Sequence, residues 1–157
     1  MSTAFNISKG EVIAYVKRVI NSDPTNAGLV VVLLQTAEAD AVLEDYDTLA
    51  TLLAAPGNVE ATFTNYARKA LVSTDLSSPV VDYTTNTQLA SIPQLTYTSA
   101  GGTTNNTIAK VIICYDPDST ASTADSGLVP LSANNYVKTT DGNDMIINNP
   151  NGFLSAG

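Results

Sequence analysis

Histidine is missing from this 157-residue chain, which also has no tryptophan and only one cysteine. Without histidine, the chain lacks the commonest general base and the commonest neutral metal ligand of proteins. Catalytic triads built on histidine and zinc sites that contain histidine are therefore excluded. Chemistry carried by Asp, Glu, Lys, Tyr or Ser remains open.

The single cysteine, Cys114, cannot form a disulfide within the chain. It follows Ile112 and Ile113 in an apolar run, which predicts a buried and unreactive thiol. Long apolar runs are also missing, and none approaches the roughly 20 residues that span a bilayer. The opening residues, Met-Ser-Thr-Ala-Phe, lack the basic region and apolar stretch that are typical of a signal peptide.

Charge is scarce, since charged residues make up 14% of the chain and about 25% of a typical domain. The 15 acidic residues outnumber the 7 basic ones, which gives a formal net charge of −8. Such a surface repels phosphate backbones and anionic lipids, so we expect no nucleic-acid partner and no membrane partner. The polar surface must consist largely of Thr, Ser and Asn, as in β-rich structural proteins that pack side by side.

Two segments have helical periodicity. Ser8 and Glu11 fit a capping box, and the apolar spacing after them predicts a helix over about 9–21, with a β-strand as the alternative because so many residues are β-branched. A second helical pattern extends from Glu38 to Ala55 and ends at Pro56. Its acidic run has the pattern of a solvated helical face.

Most of the remaining chain has the pattern of β-strands. The apolar run Leu29–Leu34 predicts a central strand that is buried on both sides. Further strands are predicted at Ala61–Ser73, Val80–Thr85, Gln94–Ser99, Ile108–Tyr115, Tyr136–Thr140 and Asp144–Ile147. The segment 116–127 has the composition of an exposed, mobile loop.

These elements predict a β-dominated α+β fold: a two-layer antiparallel β-sandwich with one or two helices, or a related jelly roll. No internal repeat or dividing linker is visible, so we expect a single domain over residues 1–157.

Several blocks of the sequence resemble a known group of proteins. They are Tyr-Asp-Thr-Leu (46–49), Asn-Tyr-Ala-Arg-Lys (65–69), Cys-Tyr-Asp (114–116) and Pro-Leu (130–131). In this order, over nearly the whole chain, they resemble small structural proteins encoded by tailed bacteriophages. Relatives in that group often carry histidines just after the Pro-Leu. This chain has Ser, Ala, Asn and Asn at 132–135, so no role of those histidines carries over.

The resemblance implies a non-enzymatic protein of the virion, made in the bacterial host cytoplasm. The role we expect is that of a capsid decoration or cement protein on the capsid surface. Its partners would be the major capsid protein and copies of itself in a symmetric oligomer. The alternative is a tail, neck or fibre component with a host-surface or glycan contact. A small hydrolase using two carboxylates is the third hypothesis, and no spacing of acids favours it.

Arg68 and Lys69 are the first candidates for a functional contact. As neighbours in a predicted strand they point to opposite faces. One interpretation pairs them locally with an acid, and Asp82 would lie near both if 75–79 forms a hairpin turn. The other interpretation is an intersubunit contact made by Arg68, since arginine is favoured at interfaces.

The N-terminal segment 1–22 is the second candidate, as an interface arm or helix. It contains Lys9, Lys17 and Arg18, three of the seven basic residues, and forms the basic pole of an acidic protein. Such a pole could meet an acidic patch on a neighbouring subunit. The alternative is an ordinary helix packed on its own sheet.

A third group of candidates is acidic. Asp116, Asp118 and Asp125 surround one loop, but their spacing does not match the twelve-residue calcium loop. A solvated acidic loop is the expected interpretation, and we predict no metal and no cofactor. The tyrosines of the β region are expected to be buried with their hydroxyls at the rim.

Overall fold

The computed structural model describes residues 2–84, 87–148 and 154–156. Its centre is an antiparallel sheet of six strands in the order β1-β9-β8-β2-β3, with β4 also paired to β2. These strands are β1 (Ser2–Ala4), β2 (Gly28–Thr36), β3 (Val59–Glu60), β4 (Lys69–Leu71), β8 (Thr107–Asp116) and β9 (Val129–Thr139).

Two smaller antiparallel sheets complete the described β structure. One pairs β7 (Leu95–Tyr97) with β10 (Met145–Ile147), and the other has the order β11-β6-β5. The strands of this three-stranded sheet are β5 (Val80–Asp82), β6 (Thr87–Ala90) and β11 (Leu154–Ala156). Within it, β5 is an edge strand paired to β6.

Three α-helices occur in the described residues: α1 (Val12–Ile20), α2 (Asp40–Leu43) and α3 (Leu49–Ala54). The apolar side chains of α1 recur three and four residues apart and are buried, as its periodicity predicts. No described helix has the length and hydrophobicity needed to cross a bilayer.

Strand β2 is buried on both sides, which confirms the prediction made from its continuous apolar run. Val31 and Leu33 face one hydrophobic cluster, and Val32 and Leu34 face another. The first cluster packs the sheet against α1 and residues of β6, β7 and β10. The second packs it against α2 and α3. The predicted class, a β-dominated α+β fold built from antiparallel sheets, is therefore confirmed.

The helical predictions were wrong at three points. The capping box does not form: Ser8 lies in a 3-10 turn, where its hydroxyl donates to the carbonyls of Phe5 and Leu131, and α1 begins later. The segment 38–55 is two short helices, because Thr48 caps a new helix by accepting a hydrogen bond from the Thr51 amide at 3.2 Å. There are accordingly three helices where one or two were expected.

The strand predicted over 61–73 was also wrong in most of its length. The chain turns at Asn65, which adopts the left-handed conformation with φ 69°, and only Lys69–Leu71 joins a sheet. Conversely, β9 begins at Val129, seven residues before the predicted start at Tyr136. Strands β1, β3, β6 and β11 were not predicted at all.

Candidate functional site

Arg68 bridges two parts of the chain that are distant in sequence. Its Nε and Nη2 donate to the two carboxylate oxygens of Glu60 at 2.8 and 2.7 Å. Its Nη1 and Nη2 donate to Asp125 at 2.5 and 3.2 Å. The hydrogen bonds that the guanidinium donates to Glu60, followed by those that it donates to Asp125, raise its pKa above the ordinary value. We call Arg68, Glu60 and Asp125 the Arg68 cluster.

Arg68 thus makes a local ion pair, but the expected partner was wrong. Asp82 does not lie across a ladder from β4, because β4 pairs with β2 while β5 pairs with β6 in another sheet. The acids that meet Arg68 come from the end of β3 and from the loop before β9.

Tyr66 links the Arg68 cluster to the central sheet through two hydrogen bonds. Its hydroxyl donates to Glu60 Oε1 at 2.8 Å and accepts from the Leu33 amide at 3.1 Å. Burial raises the pKa of this phenol above its ordinary value. The pair of hydrogen bonds fixes the Glu60 carboxylate against the central strand.

Lys69 makes a different contact from its neighbour. It pairs with Val31 in the ladder, and its Nζ lies 4.7 Å from the centroid of the Tyr97 ring. This is a cation–π distance. Arg68 lies just before β4 and Lys69 begins it, so the prediction that both are neighbours in one strand was wrong, although their side chains do have separate environments.

The N-terminal basic residues also separate into two groups. Lys9 is tied down by Glu44, at 2.9 Å, and by the side chain of Asn6. Lys17 and Arg18 lie in the last turn of α1, are exposed, and form no salt bridge with any described residue. The segment that carries all three is packed on its own fold through β1 and α1.

The loop 116–127 is attached to the body at several points. The Ser119 amide and hydroxyl both donate to the Asn26 carbonyl, at 2.8 and 2.9 Å. Asp118 accepts from the amide and hydroxyl of Thr120, and these bonds lower the pKa of its carboxyl. Asp125 joins the Arg68 cluster. The mobility of this loop stays a prediction.

Between this loop and β4 lies a shallow cavity of about 410 Å³, which we call the loop cavity. Its polar lining consists of Arg68, Asp116, Ser119, Ser122 and Thr123. Its apolar lining includes Val30 and Leu128. The described residues contain no cluster of three or more acidic or cysteine side chains that could hold a metal ion.

The acidic run of 38–47 is less solvated than its sequence suggested. Tyr46 and Asn58 bond to Glu38, and Thr3 and Lys110 bond to Asp40. Glu38 and Asp40 therefore bind separate sets of side chains and do not share one site, whereas Asp45 and Asp47 are exposed.

Lys110 is a residue that the sequence reasoning missed. It is buried in β8, where its ammonium contacts Asp40 and the Asn135 side chain. The sequence feature that could have identified this buried residue is a lone lysine inside the apolar run Ile-Ala-Lys-Val-Ile-Ile. A buried lysine is expected to be paired, and the partner could not be named without the fold.

The tyrosines divide in a way that was only partly expected. The hydroxyls of Tyr97 and Tyr115 are buried and have no hydrogen-bond partner among the residues that the structure describes, so the expectation of hydroxyls at the rim was wrong for these two. Tyr136 does bond outward, to the Ile146 carbonyl at 3.0 Å. Tyr83 is 85% exposed.

Exposed apolar side chains occur in the edge strand β5 and just after it, at Tyr83. Val80 and Val81 in the edge strand β5 are 68% and 44% exposed. Since neighbours in a strand point to opposite faces, β5 presents apolar side chains on both sides. We call Val80, Val81 and Tyr83 the β5 patch.

Comparison with protein-family models found no match to this chain. Comparisons with curated proteins and with solved structures likewise found no match.

Proposed function

We propose that this chain is a non-enzymatic structural protein of a tailed-bacteriophage virion, and that it decorates the head by binding the lattice of the major capsid protein. The sequence resemblance supplies the virion context. The observation that carries a binding role is the β5 patch, an edge strand with exposed valines on both faces.

An exposed edge strand with apolar side chains promotes aggregation of a monomeric protein. Proteins normally shield such edges with charge, proline or a covering element, and exposed apolar patches mark interaction surfaces. Val80 and Val81 remain exposed in the described structure. A lattice surface that covers the β5 patch would remove this apolar area from water.

The charge distribution is compatible with a place outside the shell. A chain with net charge −8 is repelled by packaged DNA. The described ion pairs involve four acidic and three basic residues, so most of the 15 acidic residues form no ion pair within the described part of the chain. The β5 patch itself would supply apolar contacts with the lattice.

The test is the copy number of this chain relative to the major capsid protein, measured by quantitative mass spectrometry of purified virions. We expect a ratio near one or a simple lattice fraction such as one third. A ratio in the low per cent range would place the chain in the neck, tail or fibre. Absence from the particle would overturn the virion role.

A pair of matched variants tests the surface. Val80→Lys places a charge in the β5 patch, whereas Val137→Lys changes a valine that is 80% exposed elsewhere. We expect Val80→Lys to lower occupancy on the head and Val137→Lys to leave it unchanged. Equal occupancy of the two variants would exclude the β5 patch from the contact.

A further inference from the structure

Asp116 is a nearly buried carboxylate with one unused oxygen. The residue is 4% exposed and lines the loop cavity. Its Oδ1 accepts hydrogen bonds from the Asp118 amide at 2.9 Å and the Thr123 hydroxyl at 2.7 Å. Its Oδ2 accepts none from the described residues. This oxygen keeps some solvent-accessible surface.

The electrostatics of the loop cavity favour a cation. Arg68 forms ion pairs with Glu60 and Asp125. Asp116 forms no ion pair within the described residues. A carboxylate that is mostly buried gains most from an opposite charge that donates hydrogen bonds. An anion in the loop cavity would be repelled by the Asp116 carboxylate.

The lining also suits a particular kind of cation. Val30 and Leu128 provide apolar surface beside the carboxylate, and Ser122 provides a hydroxyl. Lysine and arginine combine an apolar stem with a charged head and match this arrangement. A calcium ion needs six to eight oxygen ligands. The described acids do not form such a cluster.

The chain itself carries basic side chains that form no salt bridge with any described residue. Lys9, Arg68 and Lys110 are held in ion pairs. Lys17 and Arg18 are adjacent and exposed at the C-terminal end of α1, where Arg18 lies near the Tyr115 hydroxyl, and neither forms a salt bridge with a described residue. We propose that the Lys17–Arg18 end of one copy docks in the loop cavity of the next copy, with a basic side chain bound to Asp116 Oδ2.

This contact joins two different surfaces, so it is a heterologous, head-to-tail contact. Repetition of such a contact closes into a ring when the rotation permits. The proposal concerns two copies of the purified chain and does not rest on the virion role. A chain that associates in this way but is absent from virions would refute only the proposed function.

The experiment is sedimentation velocity on the purified chain at low and at physiological salt. Asp116→Asn keeps an Oδ1 acceptor for the loop and replaces the free Oδ2 with a donor. The double variant Lys17→Gln, Arg18→Gln removes the basic group. We expect the wild type to self-associate and each variant to weaken association by about tenfold or more, since truncating one member of a desolvated charge pair is costly.

Matched controls distinguish loss of the proposed contact from a general effect of the changed net charge. Asp47→Asn and Lys138→Gln change exposed charges elsewhere by the same amount as single substitutions at the contact. They should leave association within about twofold of wild type. Thermal melts of all variants verify folding.

Mixing gives the sharpest outcome. The Asp116→Asn chain retains Lys17–Arg18, and the double variant retains the cavity, so the mixture should form heterodimers more strongly than either variant associates with itself. Three results would overturn the proposal: a wild type that stays monomeric at low salt, equal effects of Asp116→Asn and Asp47→Asn, or a mixture that does not associate.

Discussion

At the scale of single residues, Arg68 connects segments that the chain order keeps apart. Asp125 lies 57 positions after it, and Glu60 lies eight positions before it. All three side chains are about one quarter to one third exposed. One guanidinium therefore keeps two carboxylates close together in a partly desolvated place.

Replacing Arg68 should destabilise the fold measurably. Arg68→Ala leaves two carboxylates facing each other, and we expect a loss of about 1–3 kcal/mol, between the values for exposed and buried pairs. Arg68→Lys should recover only part of it, because an ammonium lacks the planar fork that meets both acids. Urea unfolding at neutral pH measures the change.

The control for this prediction is Lys138→Gln, an exposed basic residue without a described salt bridge. It should alter the free energy of unfolding by less than about 0.5 kcal/mol. If Arg68→Ala were as mild as Lys138→Gln, the Arg68 cluster would have no role in stability.

Asp40 gives a prediction about pH. The hydrogen bond from Lys110 lowers the pKa of this carboxyl below its ordinary value of 3.8. A lowered folded-state pKa contributes stability that is complete above the unfolded pKa and disappears as the pH falls through the folded one. The contribution should therefore be present at pH 6 and decline below about pH 4.

The comparison is between the wild type and Asp40→Asn in urea, at constant ionic strength. Because the Asp40 side chain is 38% exposed, we expect the wild type to be more stable at pH 6 by no more than about 1 kcal/mol. This difference should shrink below pH 4. A difference that stays constant down to pH 3 would show that the carboxylate charge is not its source.

At the scale of elements, β2 organises the molecule because both of its faces are buried. Leu33 has no exposed surface and packs in the cluster that joins the sheet to α1. Leu33→Ala should cost about 2–5 kcal/mol, through lost apolar burial and the cavity that remains. Chemical denaturation gives the value directly.

Val137→Ala is the matched control, since Val137 lies in β9 of the same sheet and is 80% exposed. Its effect should stay within about 0.5 kcal/mol. A small cost for Leu33→Ala would mean that the surrounding side chains can close the cavity.

The element predictions succeeded where one periodic signal dominated. The apolar run of β2 and the three-and-four spacing of α1 each identify a buried surface without reference to the rest of the chain. The segment 61–73 had no such signal. Its residues divide between a turn at Asn65 and the pairing of β4 with β2, a contact between parts of the chain about 40 positions apart.

At the scale of the whole molecule, the proposed function makes a claim about particles. A protein that binds the assembled lattice in preference to free capsomers stabilises the assembled state by linkage. Heads that lack this chain should rupture at a lower temperature than complete heads, and adding back the purified wild-type chain should restore the difference.

The Val80→Lys and Val137→Lys chains provide the comparison in that experiment. Val137→Lys should restore the rupture temperature, and Val80→Lys should restore it only in part because it occupies fewer sites. A rupture temperature that does not depend on the chain would count against cementing even if the copy number were high.

The sequence by itself determined the absence of histidine chemistry, the acidic and sparsely charged character of the chain, and the positions of its strongest strand and helix. These properties depend on composition or on local periodicity. The tertiary structure decided the partners of the charged residues: Glu60 and Asp125 for Arg68, Asp40 for Lys110, and the open oxygen of Asp116. Such pairings depend on strand order, because antiparallel pairing joins residues that local sequence patterns cannot relate.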